Sequence, residues 1–539
     1  MFNKIRILPI FLLLLFISAC SSSFFMTAGN KNFTVNKKIQ YKNMELSDFQ
    51  YDFVYLVELL EEGFPLIESV VSNSDRIKLQ DEIMQILQEP NIKKEFFELQ
   101  IDKYLGLFQN GHTHRINQSR SAQKYYPFNI HISKNRWRLI DIKNDIDSLY
   151  IGKEIIAING FSVDEVEKKL SSFSDGENKI GQQYDIRSYL VQNPTFYLAT
   201  NIIDTVDDSL EIKFATEEVI KIYPLDSKEI KLYNTKFPNN EITQFSQKPY
   251  SYEVFPQHNF TYMQFNVCSD KNELDNYINQ YVKFWLKPFA KLYLHHQLNK
   301  KELDYNIAQN YHPDYPIFRN FVEKVISSTN DKNITNLIID LRNNPGGNPL
   351  LGKELLYYLT QKEDLLDFTR SSYTSDILEK WDNEIYQQIK KENNGIFLKH
   401  KLVESAEKSF FYEIEDEKSK YYIPKNRETY KGNIYILANY KIGSAASMLT
   451  TLFKDNDLAT IIGTSVATNP TGAITMTTFK LPKTDIFLNM ATTYSERPNR
   501  KENKIFMPDY WVEYSVEDLF SGRDPFLDKA IKLIKINTE

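Results

Sequence analysis

The chain has 539 residues, 42% of them hydrophobic, with only 17 Gly and 20 Pro. That length suits two to four domains of roughly 100–200 residues each, most of them ordered. The formal net charge of -6, without a basic cluster, argues against nucleic acid as a partner.

The first residues read as a targeting segment. Lys4 and Arg6 supply a positive start, and Ile7 to Ile17 is an apolar run, shorter than the roughly 20 residues that span a bilayer. Ile17-Ser18-Ala19-Cys20 then resembles a bacterial lipobox, which implies lipidation at Cys20 and removal of residues 1–20 as a signal peptide. Residues 21–44, rich in Ser, Asn and Lys, read as a tether. The expectation is a body held on a bacterial cell envelope through an acylated Cys20, with no transmembrane helix. Ser21 carries no acidic retention signal and so leans toward the outer membrane, on its periplasmic face or at the surface. Cys268 is then the one remaining thiol; it closes an apolar run and reads as a strand-end core residue.

Residues 45–118 carry helical periodicity: Phe53, Leu56, Leu60, Phe64, Ile67 and Val71, then stretches 77–87 and 96–108. They predict an N-terminal helical domain ending in Asn110-Gly111-His112-Thr113-His114. Local chemistry leaves His112 as a cap or surface residue, or as one half of a metal pair with His114 that lacks a third ligand; no metal is expected. Residues 119–226 read mostly as short strands. Gly152–Gly160 is a strand closing on an Asn-Gly turn, and Val163–Leu170 a short helix. This pattern resembles the core of a PDZ domain and implies a β-rich module able to take up an extended peptide. Upstream there is no clear carboxylate-binding loop of the Gly-Leu-Gly-Phe type.

Residues 227–539 predict an α/β domain, an open sheet of ββα units. Phe260–Val267 reads as its first strand, and 272–325 as helical, with His295 and His296 on a helix face. Leu337, Ile338, Ile339 and Leu341 form a strand buried on both faces, and Leu351, Leu355, Leu356 and Leu359 a helix. Residues 362–420 are charged and poorly patterned, and read as a surface insertion. Asn433–Ala438 is a further strand, and Ser444 opens the next helix, where a serine is ordinarily an N-cap.

Between strand and helix, Asp340-Leu341-Arg342-Asn343-Asn344-Pro345-Gly346-Gly347 resembles the signature of the S41 peptidases, the family of the tail-specific proteases and the tricorn core. The resemblance implies a serine-type peptidase acting on peptide or protein substrates without a cofactor. Gly443-Ser444-Ala445-Ala446 resembles the family's nucleophile motif, with Ser447 in place of its usual Glu, and so Ser444 takes the nucleophile role. Ala445 and Gly346 or Gly347 would then supply oxyanion N–H groups. The tail-specific branch uses a lysine base, and that position is Asn469 here, which cannot accept a proton. The lysine-free pattern resembles the tricorn-like branch, whose Gly-His motif points to His112 as base and leaves His114 structural. In the same branch a Glu opens the C-terminal motif; residues 502–509 resemble it, implying Glu502 in the relay, with Asn503 and Ile505 where the family has glycines. The same departures motivate an alternative: an inactive S41-fold protein that binds a lipophilic ligand or peptide, as the interphotoreceptor retinoid-binding relatives do. Oligomeric state is not legible.

Overall fold

The computed structural model describes residues 46–116, 124–142, 147–226, 248–270, 284–288, 317–362, 364–404, 409–502 and 504–536. The signal peptide, Cys20, the tether, His295 and His296 lie outside them.

The architecture is mixed α/β, and its centre is the sheet that the apolar runs announce. Strand order is Tyr250–Phe255, Phe260–Phe265, Asn336–Asp340, Asn433–Ala438, Thr460–Gly463 and Tyr510–Trp511. The first pair is antiparallel and the others parallel. Because side chains alternate along a strand, a run without polar interruptions must be covered on both sides. Leu337, Ile339, Ile434 and Ile436 accordingly pack among helices Phe318–Asn330, Pro349–Leu359 and Ser444–Asp455. Ile338, Tyr435 and Leu437 point the other way, onto helix Pro525–Ile536. At the C-terminal end of Asn336–Asp340 the buried Arg342 pairs with Asp340 at 2.6 Å and Asp524 at 2.7 Å. Tyr262 Oη donates to Asp340 at 2.6 Å. This network fixes where the chain leaves the sheet for the Gly346-Gly347 turn.

The N-terminal helices form near their expected bounds, at Asp48–Gly63, Asn73–Ile86 and Lys94–Gly106, with the first broken at Gly63 to Pro65. They do not close a core of their own. Phe53, Leu56, Leu60 and Tyr104 share one with Phe479, Leu488, Met490 and Ala491 of the hairpin Gly472–Lys480/Phe487–Glu496. Asp52, buried at the helix surface, accepts the N–H groups of Lys483 and Thr484 at 3.0 and 2.7 Å, which fastens the hairpin's turn.

Residues 128–222 form an antiparallel sheet in the order Phe128–Ser133, Arg136–Ile142, Glu154–Ile158, Leu210–Phe214, Val219–Ile222. Asn159 and Gly160 take positive φ in the expected turn. Helix Val163–Leu170 starts at Ser162 with a capping box closed by Glu165. Lys179–Asp185 and Pro194–Ala199 add helices where strands were expected. The charged stretch 362–420 also differs from a surface insertion. Thr369–Tyr373 pairs with Phe487–Glu496, and Phe368, Ile377, Leu378, Phe410 and Ile414 are buried. Each short element there contributes one or two apolar residues, too few to show a period.

Candidate active site

The strand Asn433–Ala438 ends in a five-residue turn that delivers Ser444 to the start of helix Ser444–Asp455. The ordinary role for such a serine does not hold here. The N-cap is Gly443, and no side chain caps this helix. Ser444 stands at φ +43°, a left-handed conformation that costs a non-glycine residue about 1–3 kcal/mol and persists only where the surroundings impose it. Its N–H donates to Thr468 Oγ1 at 3.2 Å, and its hydroxyl has no protein partner among the described residues.

The surroundings that impose it come from the Gly346-Gly347 turn. Both glycines have positive φ, +105° and +131°. A Cβ on Gly346 would lie 2.7 Å from Gly443 O, 2.8 Å from Ser444 Cβ and 2.9 Å from Ala445 N. Only a bare Cα lets the two turns touch. Gly347 is pressed as closely on Cys268, its neighbour in an isolated parallel bridge. Of the expected N–H donors, Gly346 is already committed: it donates to Asn344 Oδ1 at 2.9 Å. Ala445, in the first turn of the helix, and Gly347 have N–H groups with no acceptor among the described residues.

His112 sits on the loop after helix Lys94–Gly106. Asn110 anchors that loop by donating to Ala473 O at 2.8 Å, and Thr113 Oγ1 accepts from Ala491 N at 3.0 Å. His114 is part of the anchor too, paired across from Asn489 with its Nδ1 3.0 Å from Gly111 O. The His112 side chain is largely buried, and its Nδ1 lies 3.6 Å from Glu177 Oε1. That nitrogen is sealed from solvent and has no closer partner.

Glu177 is held on every side. Oε1 accepts Gly111 N at 3.3 Å and Oε2 accepts Asn469 N at 2.7 Å, while Asn469 Nδ2 donates to Glu177 O at 2.7 Å. Asn178 Nδ2 completes the clamp on Asn469 Oδ1 at 3.0 Å. Asn469 follows Thr468, the residue that holds Ser444 N, and Ser447 Oγ donates to Thr468 O at 2.9 Å. Residues 468–469 therefore join the serine turn to the histidine loop. Glu502 stands elsewhere, on an exposed turn where its N–H donates to Asn499 O at 3.1 Å. The carboxylate against His112 is Glu177. Cys268 is buried, and burial pushes its thiol up to about 12, as suits a core residue.

Residues 313–512 match the model described as peptidase family S41. Over this segment the chain is similar to the S41 peptidases. No curated protein sequence matches the chain. Among solved structures it resembles mature CPAF, with a TM-score of 0.57 at 16% identity over 91% of this chain and 98% of that one. Mature CPAF complexed with lactacystin superposes with a TM-score of 0.56 at 15% identity, again over 91% and 98% of the two chains. Identity that low speaks for the fold alone.

Within the matched segment, Ser444 and the two glycines stand out in the sequence because each lies in a contiguous motif. Glu177, outside that segment, does not. It sits in Ser174-Asp175-Gly176-Glu177-Asn178, a sequence that reads only as a polar loop before the Asn178-capped helix. One signal was available: Asn469 in place of a lysine leaves an amide that needs partners, and Glu177 and Asn178 are those partners.

Proposed function

We propose that the chain is a serine-type peptidase that hydrolyses peptide bonds by acyl transfer, with Ser444 as nucleophile and His112 as base. One observation carries this reading: a strained serine with an uncommitted hydroxyl, linked through Thr468 and Asn469 to a histidine that faces a buried carboxylate. A serine hydroxyl is inert near neutral pH without a base, and a histidine base works best with an acceptor behind it. In the first step Ser444 Oγ bonds to the peptide carbonyl carbon while its proton passes to the imidazole of His112. The carbonyl oxygen gathers negative charge opposite the N–H groups of Ala445 and Gly347. Glu177, 3.6 Å from Nδ1, offsets the charge of the imidazolium. The imidazolium then protonates the leaving amine as the C–N bond breaks. Water, deprotonated by the same imidazole, attacks the ester and frees the acid and the serine. No cofactor enters these steps.

A fluorophosphonate probe tests the mechanism. We expect labelling at Ser444, its loss in Ser444→Ala, and a comparable loss in His112→Ala. Labelling that survives both substitutions refutes the assignment. Lactacystin, with which CPAF has been crystallised, serves as a competitor. A folded chain that reacts with neither reagent but saturably binds a fluorescent fatty acid would favour the ligand-binding alternative. Asn469 no longer supports that alternative, since it has a role in holding Glu177.

We further propose that residues 128–222 dock substrate as a PDZ-like module, and that the mature protein is tethered to the cell envelope through Cys20. Fatty-acid incorporation abolished by Cys20→Ala tests the anchor.

A further inference from the structure

Buried arginines in this chain come with partners. Arg342 is paired with Asp340 and Asp524, Arg115 with Glu98 and Asp102, Arg497 with Asp455, and Arg76 with Glu68. Arg187, half-buried, is different. It stands on the single π-helical turn Ile186–Leu190, an irregularity often found at functional positions. Its guanidinium lies 3.4 Å from the ring centroid of Tyr440 and 5.9 Å from that of Tyr184. Among the described residues it makes no ion pair and no hydrogen bond, and its Nε is sealed from solvent without an acceptor. Burial accordingly pulls its pKa down.

A cavity of about 230 Å³ opens beside it, walled by His131, Gln183, Arg187, Tyr440, Trp511 and Tyr514. At about 30 Å³ per water this is room for a side chain or a chain end, not a large ligand. The two acids whose charge reaches it are occupied: Glu513 accepts Lys134 N at 3.0 Å and also the indole N–H of Trp511, and Asp185 accepts the Ser174 hydroxyl at 2.6 Å. His131 Nε2 is engaged with Tyr514 O at 2.8 Å. A half-buried guanidinium without an ion pair is placed to form a charge-assisted pair with a carboxylate entering the cavity. Its position bears on the reaction, because Tyr440 belongs to the turn that ends at Ser444.

We propose that this cavity is a carboxylate-binding subsite in which Arg187 receives either the chain terminus or an acidic side chain of the peptide substrate. As a substrate subsite it rests on the peptidase reading, but the binding itself can be measured without catalysis. The full chain carrying Ser444→Ala is titrated, by fluorescence anisotropy, with short fluorescein-tagged peptides. One pair ends in a free carboxylate or an amide; a second, amidated pair carries Glu or Gln at an internal position. At least one carboxylate peptide should bind about tenfold or more tightly than its neutral partner, the order that a charge-assisted pair supplies. Arg187→Gln should erase that preference and Arg187→Lys should retain part of it. Preference within the first pair identifies the terminus, and within the second an acidic side chain. Equal binding of both pairs, no binding of any carboxylate peptide, or a preference that persists in Arg187→Gln overturns the proposal. Failure of the wild-type chain to react with fluorophosphonate would sink the peptidase reading and leave this comparison standing.

Discussion

The sharpest test of the relay is Glu177→Gln, which preserves shape and removes the charge. His112 Nδ1 and Glu177 Oε1 are 3.6 Å apart in a largely buried setting. With an effective dielectric of about 20, the carboxylate would stabilise an imidazolium there by about 4.6 kcal/mol; with the value for water, about 80, the figure is about 1.2 kcal/mol. At about 1.4 kcal/mol per decade, the rate should fall between about sevenfold and about 2000-fold. The assay is the second-order rate constant for fluorophosphonate labelling at one fixed pH.

A purely structural role for Glu177 has to be separated from this one, because both its oxygens also accept backbone N–H groups. Glu177→Asp does so, since it keeps the charge and shortens the reach to those N–H groups. If the charge matters, Glu177→Asp should keep more reactivity than Glu177→Gln; a mere disturbance of the loop lowers both alike. Glu502→Gln, on an exposed turn, is the matched control and should change the rate by less than about threefold. If Glu177→Gln reacts like the wild type and Glu502→Gln loses two decades, Glu177 has no part in the relay and the C-terminal glutamate fills that place.

Three other outcomes follow from the geometry. Gly346→Ala drives a methyl into Gly443 O, Ser444 Cβ and Ala445 N, at a φ of +105°; labelling should drop by about two decades or more while circular dichroism stays native. Asp524→Ala strips Arg342 of one of its two carboxylates and leaves the N–H groups of Phe526 and Leu527 without their acceptor; urea denaturation should show a loss of about 3 kcal/mol. Cys268, its thiol pushed up to about 12 by burial, should resist iodoacetamide at pH 8 in the native state and react once the chain is unfolded.

What could be read in the sequence was whatever is local. Leu337 to Leu341 and Ile434 to Ala438 announced their strands because a two-sided sheet needs unbroken apolar runs, and Val163–Leu170 was bounded by its own capping box. The helical front was legible as helices, but not the partner with which it shares a core. Its apolar faces look the same in sequence whether they meet each other or Leu488 and Met490, more than 350 residues away. Glu177 failed for a related reason. A carboxylate becomes an orienting group only through what faces it, and its partners Gly111 and Asn469 lie 66 and 292 positions distant. Arg187 was equally silent, since an arginine whose partners are missing looks like any other until the cavity is seen.

Asn469 and Glu177 belong together. An ammonium at position 469 could donate but not accept, so it could not take the Asn178 amide as Asn469 Oδ1 does. An asparagine does both, and thereby draws residues 177–178 towards the serine turn and sets a carboxylate against His112. The His112 loop in turn is fastened to the hairpin through Asn110 and Thr113. Each polar contact is worth only about 1 kcal/mol net, yet the relay needs all of them at once, from the helical front, the β-rich unit and the S41-like segment. Disturbing any one of these three docked parts should therefore cost reactivity at Ser444 before it costs the fold, because the serine turn keeps its own support from Gly346 and Thr468.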